Sequence, residues 1–448
     1  MAAGGGCVAR APDGRVVFVR HAVPGERVRA RVTEEASRFL RADAVEVLDA
    51  SPDRAQPPCP HAGPGRCGGC DWQHVRLEAQ RRLKQDLVAA QLRHLAGTDA
   101  DVRVEEVPGP VDGLAWRSRA RFAVDQSGRL GFHLYRSHQV EPVTQCLVAS
   151  AQVEAVGAER ARWPGAKEVE VLALSRGALC RVEMGSGAFP AVDGRHLPGL
   201  GCGLVVDGQP VRGTGWVEEQ VEGRRFRVTA GSFWQVHVGA PRTLALAVID
   251  GLVPQPGDFV ADLYAGVGLM AVLLAGRVGP TGRVLAVERS PRAHRDSVAN
   301  TAGLPQVRPV LASVTPRFVS ADLGHPDLVV LDPARRGAGT ATMAALARLR
   351  PPPRAVAYLS CYPATFARDV SELLRQGWSL QALRAFDLFP MTEHVEVLGL
   401  LVPGPLATGG RALPVEGCAA LSFGRGPDRR ADPDRRAGLA LCRPPVPS

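Results

Sequence analysis

The stretch VADLYAGVGLMAVLLA, residues 260–275, decides the fold class. An apolar run typical of a buried strand passes into a turn that contains Gly266 and Gly268, and a helical pattern of apolar residues follows. Glycines in such a turn allow a ligand to approach the backbone closely, and the N-terminus of the next helix is electropositive. Only part of the pattern G-x-G-x-x-G is present. The stretch therefore indicates either a nucleotide-type cofactor site or a turn that serves packing alone.

Three further short apolar segments follow in the same rhythm, separated by segments of helix length: RVLAVE, PDLVVLD and AVAYLS. This alternation predicts an α/β domain with a mostly parallel sheet covered by helices on both faces. Ligands of such sheets bind at the carboxyl ends of the strands. The polar residues predicted at that edge are Asp262, Glu288, Asp332 and Cys361.

Glu288 ends the second strand of this pattern, where an acid commonly binds ribose hydroxyls. Together with the glycine turn it indicates a cofactor that carries adenosine and ribose. The sequence has no second phosphate-binding turn, so S-adenosylmethionine fits at least as well as a dinucleotide. The alternative for Glu288 is a surface carboxylate.

Cys361 stands where the apolar segment AVAYLS meets a turn set by Pro363. A thiol at this edge, near helix N-termini and near Arg335 or Arg336, is predicted to have a lowered pKa and to be a reactive nucleophile. The alternative is a small buried residue that fills the core.

Three cysteines lie close together in the pattern C-x7-C-G-G-C: Cys59, Cys67 and Cys70. Thiolates at this spacing can share a tetrahedral zinc ion or an iron–sulfur cubane, and either centre needs a fourth ligand. Cys146, in VTQCLVAS, is the best candidate for that ligand. The alternative is three unrelated thiols.

Composition and pattern divide the chain into four regions. Residues 1–52 hold short β-like runs that predict a small β-barrel, and residues 53–230 hold the cysteine segment, a polar helix pattern and a strand-rich stretch. Residues 231–403 carry the α/β pattern. Residues 404–448 are rich in Pro, Gly, Arg and Asp and predict a disordered tail.

The 448 residues carry a formal net charge of +9, and Lys84 and Lys167 are the only lysines among 54 basic residues. Arginine suits phosphates and stacks on bases, so the charge favours a nucleic-acid partner; the alternative is a solvated surface shaped by genomic base composition.

The start of the chain lacks an apolar stretch of signal-peptide length, and no uninterrupted window reaches transmembrane length. We expect a cytoplasmic protein without a membrane partner, whose cysteines are ligands, nucleophiles or core residues rather than disulfides.

Six segments, in order along residues 1–403, resemble the RNA uracil-C5 methyltransferase family in its iron–sulfur-containing branch: CPHAGPGRCGGCDWQH, GSFWQVH, DLYAGVGL, DPARRG, LSCYPATFARD and FPMTEHVE. The chain departs from the usual family pattern at four positions within or beside these segments, namely Ala265, Ala334, Tyr362 and Glu393. None of these departures removes a residue that the family uses in catalysis.

The resemblance implies a Rossmann-like class I methyltransferase domain, an N-terminal TRAM barrel of OB-like form and a β-rich central domain with an iron–sulfur loop. It implies Cys361 as the nucleophile and Glu396 as the base. The implied S-adenosylmethionine site is lined by Gln235, Tyr264, Glu288 and Asp332. The implied ligands of a 4Fe-4S cluster are Cys59, Cys67, Cys70 and Cys146.

The resemblance also implies an RNA substrate. The barrel together with the cluster is similar to the branch that acts on 23S rRNA, and tRNA is the nearest alternative substrate. Two alternatives from other classes are an RNA-binding or assembly factor without turnover and a redox iron–sulfur protein. The presence of both Cys361 and Glu396 favours the enzyme.

Overall fold

The computed structural model describes residues 1, 4–186 and 201–404. The helices are α1 (Leu77–Gln91), α2 (Ala151–Val156), α3 (Ala240–Leu252), α4 (Leu269–Val278), α5 (Pro291–Asn300), α6 (Thr340–Ala347) and α7 (Pro363–Arg375). The strands up to residue 230 are β1 (Cys7–Arg10), β2 (Val16–Arg20), β3 (Arg27–Glu35), β4 (Phe39–Asp49), β5 (Val104–Glu105), β6 (Arg119–Val124), β7 (Leu130–His133), β8 (Val140–Pro142), β9 (Ala166–Leu174), β10 (Gly177–Met184), β11 (Gly203–Val206), β12 (Gln209–Arg212), β13 (Trp216–Val221) and β14 (Arg224–Thr229). The later strands are β15 (Phe259–Leu263), β16 (Arg283–Glu288), β17 (Val307–Leu311), β18 (Leu328–Leu331), β19 (Ala355–Ser360), β20 (Trp378–Phe386) and β21 (Glu396–Pro403).

The N-terminal region forms a four-stranded sheet in the order β1-β2-β4-β3. Residues of β1 and β2 alternate between buried and less buried positions, as expected of strands with one face on a core. Cys7, Val19 and Val28 belong to that core. The predicted β-barrel corresponds to this sheet, in which β1 and β3 are the edge strands.

The central region forms a seven-stranded sheet in the order β12-β11-β10-β9-β6-β7-β8, and β13 pairs with β14 beside it. Phe122 and Trp163 are fully buried in the core of the larger sheet. The cysteine segment lies against β7, because the Gly68 N–H donates to the His133 carbonyl oxygen at 3.0 Å. A Cβ atom at Gly68 would lie 3.0 Å from backbone atoms of His133 and Tyr135, which is tighter than an ordinary contact, so this close approach favours glycine.

The C-terminal region forms an eight-stranded sheet in the order β17-β16-β15-β18-β19-β21-β20-β5. Its strands from β17 to β19 are parallel, and β21 is antiparallel to both of its neighbours. β15, β18 and β19 are buried along their whole length because helices cover both faces of the sheet. In β19, Val356 and Tyr358 face the core under α6 and α7, while Ala357 and Leu359 face the core under α3 and α4.

This sheet confirms the α/β pattern read from the sequence. The four apolar segments coincide with β15, β16, β18 and β19. The strand order reverses between β15 and β18, which places a crevice at their carboxyl ends. β5 joins the same sheet by pairing with β20, so a segment from within residues 53–230 extends it.

The structure leaves two predictions untested, the disorder of the C-terminal tail and the limits of the four regions. The predicted disordered tail, from residue 405 onward, lies outside the described residues, and the four region limits stay predictions. Within the described ranges, every helix is too short or too polar to cross a bilayer.

Candidate active site

The turn after β15 is held in a conformation that glycine favours. Gly266 and Gly268 have φ values of +57° and +90°, and Tyr264 is a non-glycine residue at +68°. A Cβ atom at Gly268 would lie 3.0 Å from the Ser297 hydroxyl oxygen, whereas a Cβ atom at Gly266 would meet open space. The open side of the turn at Gly266 is where a ligand can approach the backbone.

Glu288 closes this turn against the end of β16. Its carboxylate accepts a hydrogen bond from the Gly266 N–H at 3.0 Å and another from the Ser290 N–H at 2.6 Å. A carboxylate offers about four lone-pair positions, so these two bonds leave capacity for ribose hydroxyls. Glu288 is therefore part of the turn and also a group that can bind a ligand.

Two aspartates lie at the switch point between β15 and β18, of which Asp262 is buried and Asp332 half-buried. Burial, with the charges of Asp332 and Glu288, raises the pKa of Asp262 to about 7, and burial raises the pKa of Asp332 to about 7. Gln235 Nε2 donates to Asp332 Oδ2 at 3.3 Å. Asp262 Oδ2 is buried and accepts no hydrogen bond from the described residues. Carboxylates this crowded favour a ligand that brings donors or positive charge.

Cys361 and Glu396 are brought together by the antiparallel pairing of β19 with β21. Ser360 is opposite Val397, and one further step of this register places residue 361 opposite residue 396. The Glu396 side chain is buried, with only 3% of the residue exposed. Its pKa is raised well above the usual range by burial and by the charge of Asp332. A thiol and a buried carboxylate therefore share this edge of the sheet with Asp332.

The prediction of a lowered Cys361 pKa is wrong for this structure. Burial is the largest cause of the shift, and the charges of Glu396 and Asp332 add to it, so the pKa rises to about 12. The Arg335 guanidinium acts in the opposite direction and is outweighed. Without a bound ligand, the nucleophile is held as a neutral thiol at neutral pH.

We expect alkylation of Cys361 by iodoacetamide to keep accelerating up to about pH 10 in the cofactor-free protein. Only the thiolate reacts, and a shift from 9.0 to about 12 lowers its fraction at pH 8 by about 10³-fold. The measurement is the rate of carbamidomethylation of the Cys361 peptide by mass spectrometry, with glutathione as the reference thiol. A rate that levels off between about pH 7 and 8 contradicts the raised pKa.

A surface pocket opens onto Cys361. It is lined by Leu87, Gln91, Cys361, Tyr362, Pro363, Ala364, Glu393 and His394. Arg335 Nη2 lies 3.4 Å from His394 Nε2, and both Arg335 and the following Arg336 are exposed. Leu87 and Gln91 lie on α1, far from Cys361 in sequence, and no local pattern identified them. The pocket combines an aromatic ring, a nucleophile and exposed arginines.

The sequence offers three arginine-rich segments, WRSRAR, YRSHQ and ARRG, and the aromatic pair Phe233 and Trp234 as candidate contacts for RNA, and several of these residues are instead engaged by other parts of the protein. Trp234 is buried against Phe226, whereas Phe233 is exposed. In the segment WRSRAR, Arg119 Nη2 donates to the Ser232 carbonyl oxygen at 2.6 Å. Arg121 forms ion pairs with two glutamates of β9.

The segment YRSHQ docks on the N-terminal sheet. The Arg20 guanidinium lies 3.5 Å from the centre of the Tyr135 ring, and Arg136 pairs with Glu34 at 3.1 Å. Of the three arginine-rich segments, ARRG is therefore the one whose arginines are exposed beside the Cys361 pocket.

The four cysteines Cys59, Cys67, Cys70 and Cys146 line one cavity, together with Arg117. Burial raises the pKa of Cys67 to about 11 and that of Cys70 to about 12, and the positive charge of Arg117 acts against both shifts. Within the part of the chain that the structure describes, no group of three or more His, Cys, Asp or Glu side chains is arranged to hold a metal ion. The structure thus brings the predicted ligands to one cavity without forming a compact single-ion site.

Comparison with known proteins identifies the family of the chain. Residues 3–45 match the TRAM domain. A protein named "Uncharacterized RNA methyltransferase" from Streptomyces avermitilis is 45% identical over 90% of this chain and 96% of its own length. The 23S rRNA (uracil(1939)-C(5))-methyltransferase RlmD of Shewanella denitrificans is 31% identical over 87% of this chain and 91% of its own length.

A solved structure has the same fold. The Pyrococcus abyssi tRNA (uracil-54, C5)-methyltransferase in complex with S-adenosyl-L-homocysteine superposes with a TM-score of 0.65 at 21% identity, and the match covers 89% of this chain and all of that one. The sequence matches confirm the family resemblance read from the six motifs. The chain belongs to the RNA methyltransferase family that includes 23S rRNA (uracil(1939)-C(5))-methyltransferase RlmD.

Proposed function

We propose that the chain transfers the methyl group of S-adenosylmethionine to C5 of a uridine in structured RNA, with 23S rRNA as the substrate. The observation that carries the proposal is the Cys361 thiol beside the buried Glu396 carboxyl at the carboxyl ends of β15, β18 and β19. Nitrogen and oxygen atoms have lone pairs for methyl transfer, whereas C5 of uracil is a poor nucleophile and needs covalent activation. The relative named as a 23S rRNA uracil-C5 enzyme supports the choice of substrate.

The cofactor site would consist of Gln235, Tyr264, Glu288 and Asp332, with the open side of the Gly266 turn beside them. S-adenosylmethionine supplies an electrophilic methyl group on a cationic sulfonium. Burial raises the pKa values of Asp262, Asp332 and Glu396, and the charge of Asp332 adds to the shifts of the other two. A cation suits this edge because it would stabilise the ionised form of these carboxyls. A dinucleotide would instead bring an anionic diphosphate towards these carboxylates. The charge therefore favours S-adenosylmethionine.

In the proposed reaction the Cys361 thiol, neutral in the ligand-free protein, first loses its proton to solvent, and the resulting thiolate forms a bond to C6 of the target uracil. The electrons of the C5–C6 double bond move onto the C4 carbonyl, and the resulting enolate gives C5 the electron density to accept the methyl group. The bond between that methyl carbon and the sulfonium sulfur would break, and S-adenosylhomocysteine would leave. Glu396, as a carboxylate, then removes the remaining C5 proton. The C5–C6 double bond re-forms, the S–C6 bond breaks and the Cys361 thiolate leaves.

The RNA must deliver an unstacked uridine to the Cys361 pocket. Tyr362 is 38% exposed at this pocket and offers a ring for stacking, and Arg335 and Arg336 offer charges for phosphates. His394 borders the same space and is suited to shape it, with a pKa lowered to about 4 by burial and by the charge of Arg335. At neutral pH this histidine is therefore uncharged.

The test is methylation of unmodified RNA by the full chain. We expect radioactive methyl groups from S-adenosylmethionine to appear as 5-methyluridine in a 23S rRNA transcript, and not in a tRNA pool. Loss of a 5-methyluridine from the rRNA of a deletion strain checks the same point in cells. Label in tRNA alone would change the substrate, and 5-methyluridine in neither RNA would overturn the proposal.

We further propose that the cysteine cavity holds a 4Fe-4S cluster with a structural role. A cubane spreads its four thiolates around a volume, which fits a cavity with cysteines on its walls better than it fits one ion. Arg117 at the cavity wall balances part of the negative charge that four thiolates bring. The cluster, when bound, would join the 59–70 segment to the Cys146 segment.

We expect anaerobically purified protein to carry about four iron atoms per chain and Cys67→Ser to lose most of them. Because metal binding contributes to folding free energy, iron removal should also lower the melting temperature by more than about 5 °C. Iron assay and thermal unfolding provide the measurements, with Cys202→Ser as the control, since Cys202 lies outside the cavity. Stoichiometric zinc, or unchanged melting after iron removal, would contradict the proposal.

A further inference from the structure

The loop between β20 and β21, residues 387–395, joins the cysteine segment to the Cys361 pocket. Its residues Glu393 and His394 line that pocket, and Glu396 follows directly as the first residue of β21. The Trp72 N–H, next to the cysteine segment, donates to the Met391 carbonyl oxygen at 2.9 Å. The position of this loop therefore depends on contacts made outside the C-terminal sheet.

Gln80, on α1, is the side chain that ties these parts together. It is fully buried, and its Oε1 accepts a hydrogen bond from the Met391 N–H at 2.8 Å. Its Nε2 donates to the carbonyl oxygens of Trp72 at 3.0 Å and Val75 at 2.8 Å. One amide thus uses both its acceptor and its donors to connect α1, the end of the cysteine segment and the loop.

Met391 has a φ value of +66°, a left-handed conformation that is unfavourable for a side chain of its size. Its N–H is held by Gln80 and its carbonyl oxygen by Trp72. A conformation of this kind persists only where the surroundings impose it. The loop is therefore expected to relax when the Gln80 bond is lost.

A second anchor lies one helical turn further along α1. The Lys84 ammonium is completely buried and donates to Asp387 Oδ1 at 2.6 Å and to the Phe389 carbonyl oxygen at 3.0 Å. This ion pair fixes the start of the loop, whereas Gln80 fixes its middle. Removal of Gln80 should accordingly displace the part nearest Glu396 while the start of the loop stays in place.

We propose that Gln80 is a positioning residue for the second half of the reaction: through Met391 it holds the loop that leads into Glu396, and so it sets the rate of proton removal from C5. The proposal rests on the proposed function. Cys361 lies on the β19–α7 connection, to which Gln80 makes no hydrogen bond among the described residues, so formation of the S–C6 bond should be affected much less. The covalent RNA intermediate should then accumulate.

The experiment compares Gln80→Met with wild-type enzyme on substrate RNA. We expect kcat to fall by about 10-fold to 100-fold, the KM for S-adenosylmethionine to change by less than about 2-fold, and the steady-state fraction of RNA-linked protein on denaturing gels to rise severalfold. Gln85→Met is the matched control, because Gln85 lies on the same helix and its Oε1 accepts a hydrogen bond from Val104 in β5.

A second variant keeps the test decisive if Gln80→Met fails to fold. In Gln80→Glu a protonated carboxyl retains the acceptor for the Met391 N–H and one donor, so we expect a smaller rise of the adduct fraction than in Gln80→Met. A fall of kcat and adduct in equal proportion, or unchanged kinetics, would overturn the role of Gln80. Absence of any adduct or 5-methyluridine from the wild-type enzyme would instead overturn the proposed function.

Discussion

Replacement of Cys361 by serine is expected to lower RNA methylation by at least about 10³-fold and to abolish every covalent protein–RNA complex. A serine hydroxyl is far less acidic than a thiol and its oxygen is a weaker nucleophile towards carbon, so almost no bond to C6 should form. Without the bond to C6, C5 of uracil stays a poor nucleophile. The measurements are initial rates of tritium transfer and a denaturing gel with RNA that contains 5-fluorouridine, in which fluorine prevents release of the adduct.

The control separates loss of the nucleophile from loss of the fold. Serine has nearly the same shape as cysteine, so Cys361→Ser should bind S-adenosylmethionine and RNA within a few-fold of the wild-type affinities. Cys202→Ser removes a thiol from the central sheet and should still form the adduct. Full methylation activity of Cys361→Ser would contradict the covalent mechanism, whatever its affinities for S-adenosylmethionine and RNA.

The parallel strands of the C-terminal sheet were predictable because burial on both faces imposes a continuous apolar run. β15 and β19 are such runs, and each is followed directly by a residue of the candidate site, Tyr264 after β15 and Cys361 after β19. β17 and β20 are less buried and contain both apolar and polar residues, so the apolar pattern of the sequence did not identify them. Helices that cover both faces of a strand thus leave a pattern in the sequence, whereas less buried strands at or next to the edge of the sheet leave little.

The neighbourhood of Cys361 and Glu396 was not predictable from pattern alone. It depends on β21, which is inserted between β19 and β20 and is antiparallel to both of them. Motif order along the chain gives no register between the two strands. The family resemblance named both residues, and the register of Ser360 with Val397 explains how they come together.

The charge state of Cys361 was predicted wrongly for a physical reason. Sequence placed Arg335 and helix N-termini near the thiol, and both would lower its pKa. The fold adds burial, Glu396 and Asp332, and their combined effect is larger. The positive charge of Arg335 is exposed at the rim of the pocket, whereas the carboxyl of Glu396 is buried. The sequence does not show how deeply each of these groups is buried. A cationic cofactor would partly reverse the balance.

Replacement of Glu396 by glutamine is expected to lower turnover by about 10²-fold to 10⁴-fold while the covalent complex with ordinary RNA accumulates. Glutamine fills the same buried volume but has no basic oxygen, so the C5 proton stays and the Cys361 thiolate has no route to leave. The order of events therefore predicts opposite changes in two quantities, less product and more adduct. Denaturing gels quantify the adduct with natural uridine, and tritium transfer quantifies the methyl group.

The stoichiometry of that adduct makes the test specific. If Glu396 acts after methyl transfer, each trapped RNA carries one methyl group, and the trapped fraction should approach one per active site in a single turnover. An adduct without a methyl group would place Glu396 before the transfer, and a variant without any adduct would make the carboxyl an aid to thiolate formation. Glu393→Gln is the matched control, because Glu393 lines the same pocket and accepts a backbone hydrogen bond from Gly4. We expect no accumulation of adduct in that variant, since the C5 proton is removed by Glu396 alone.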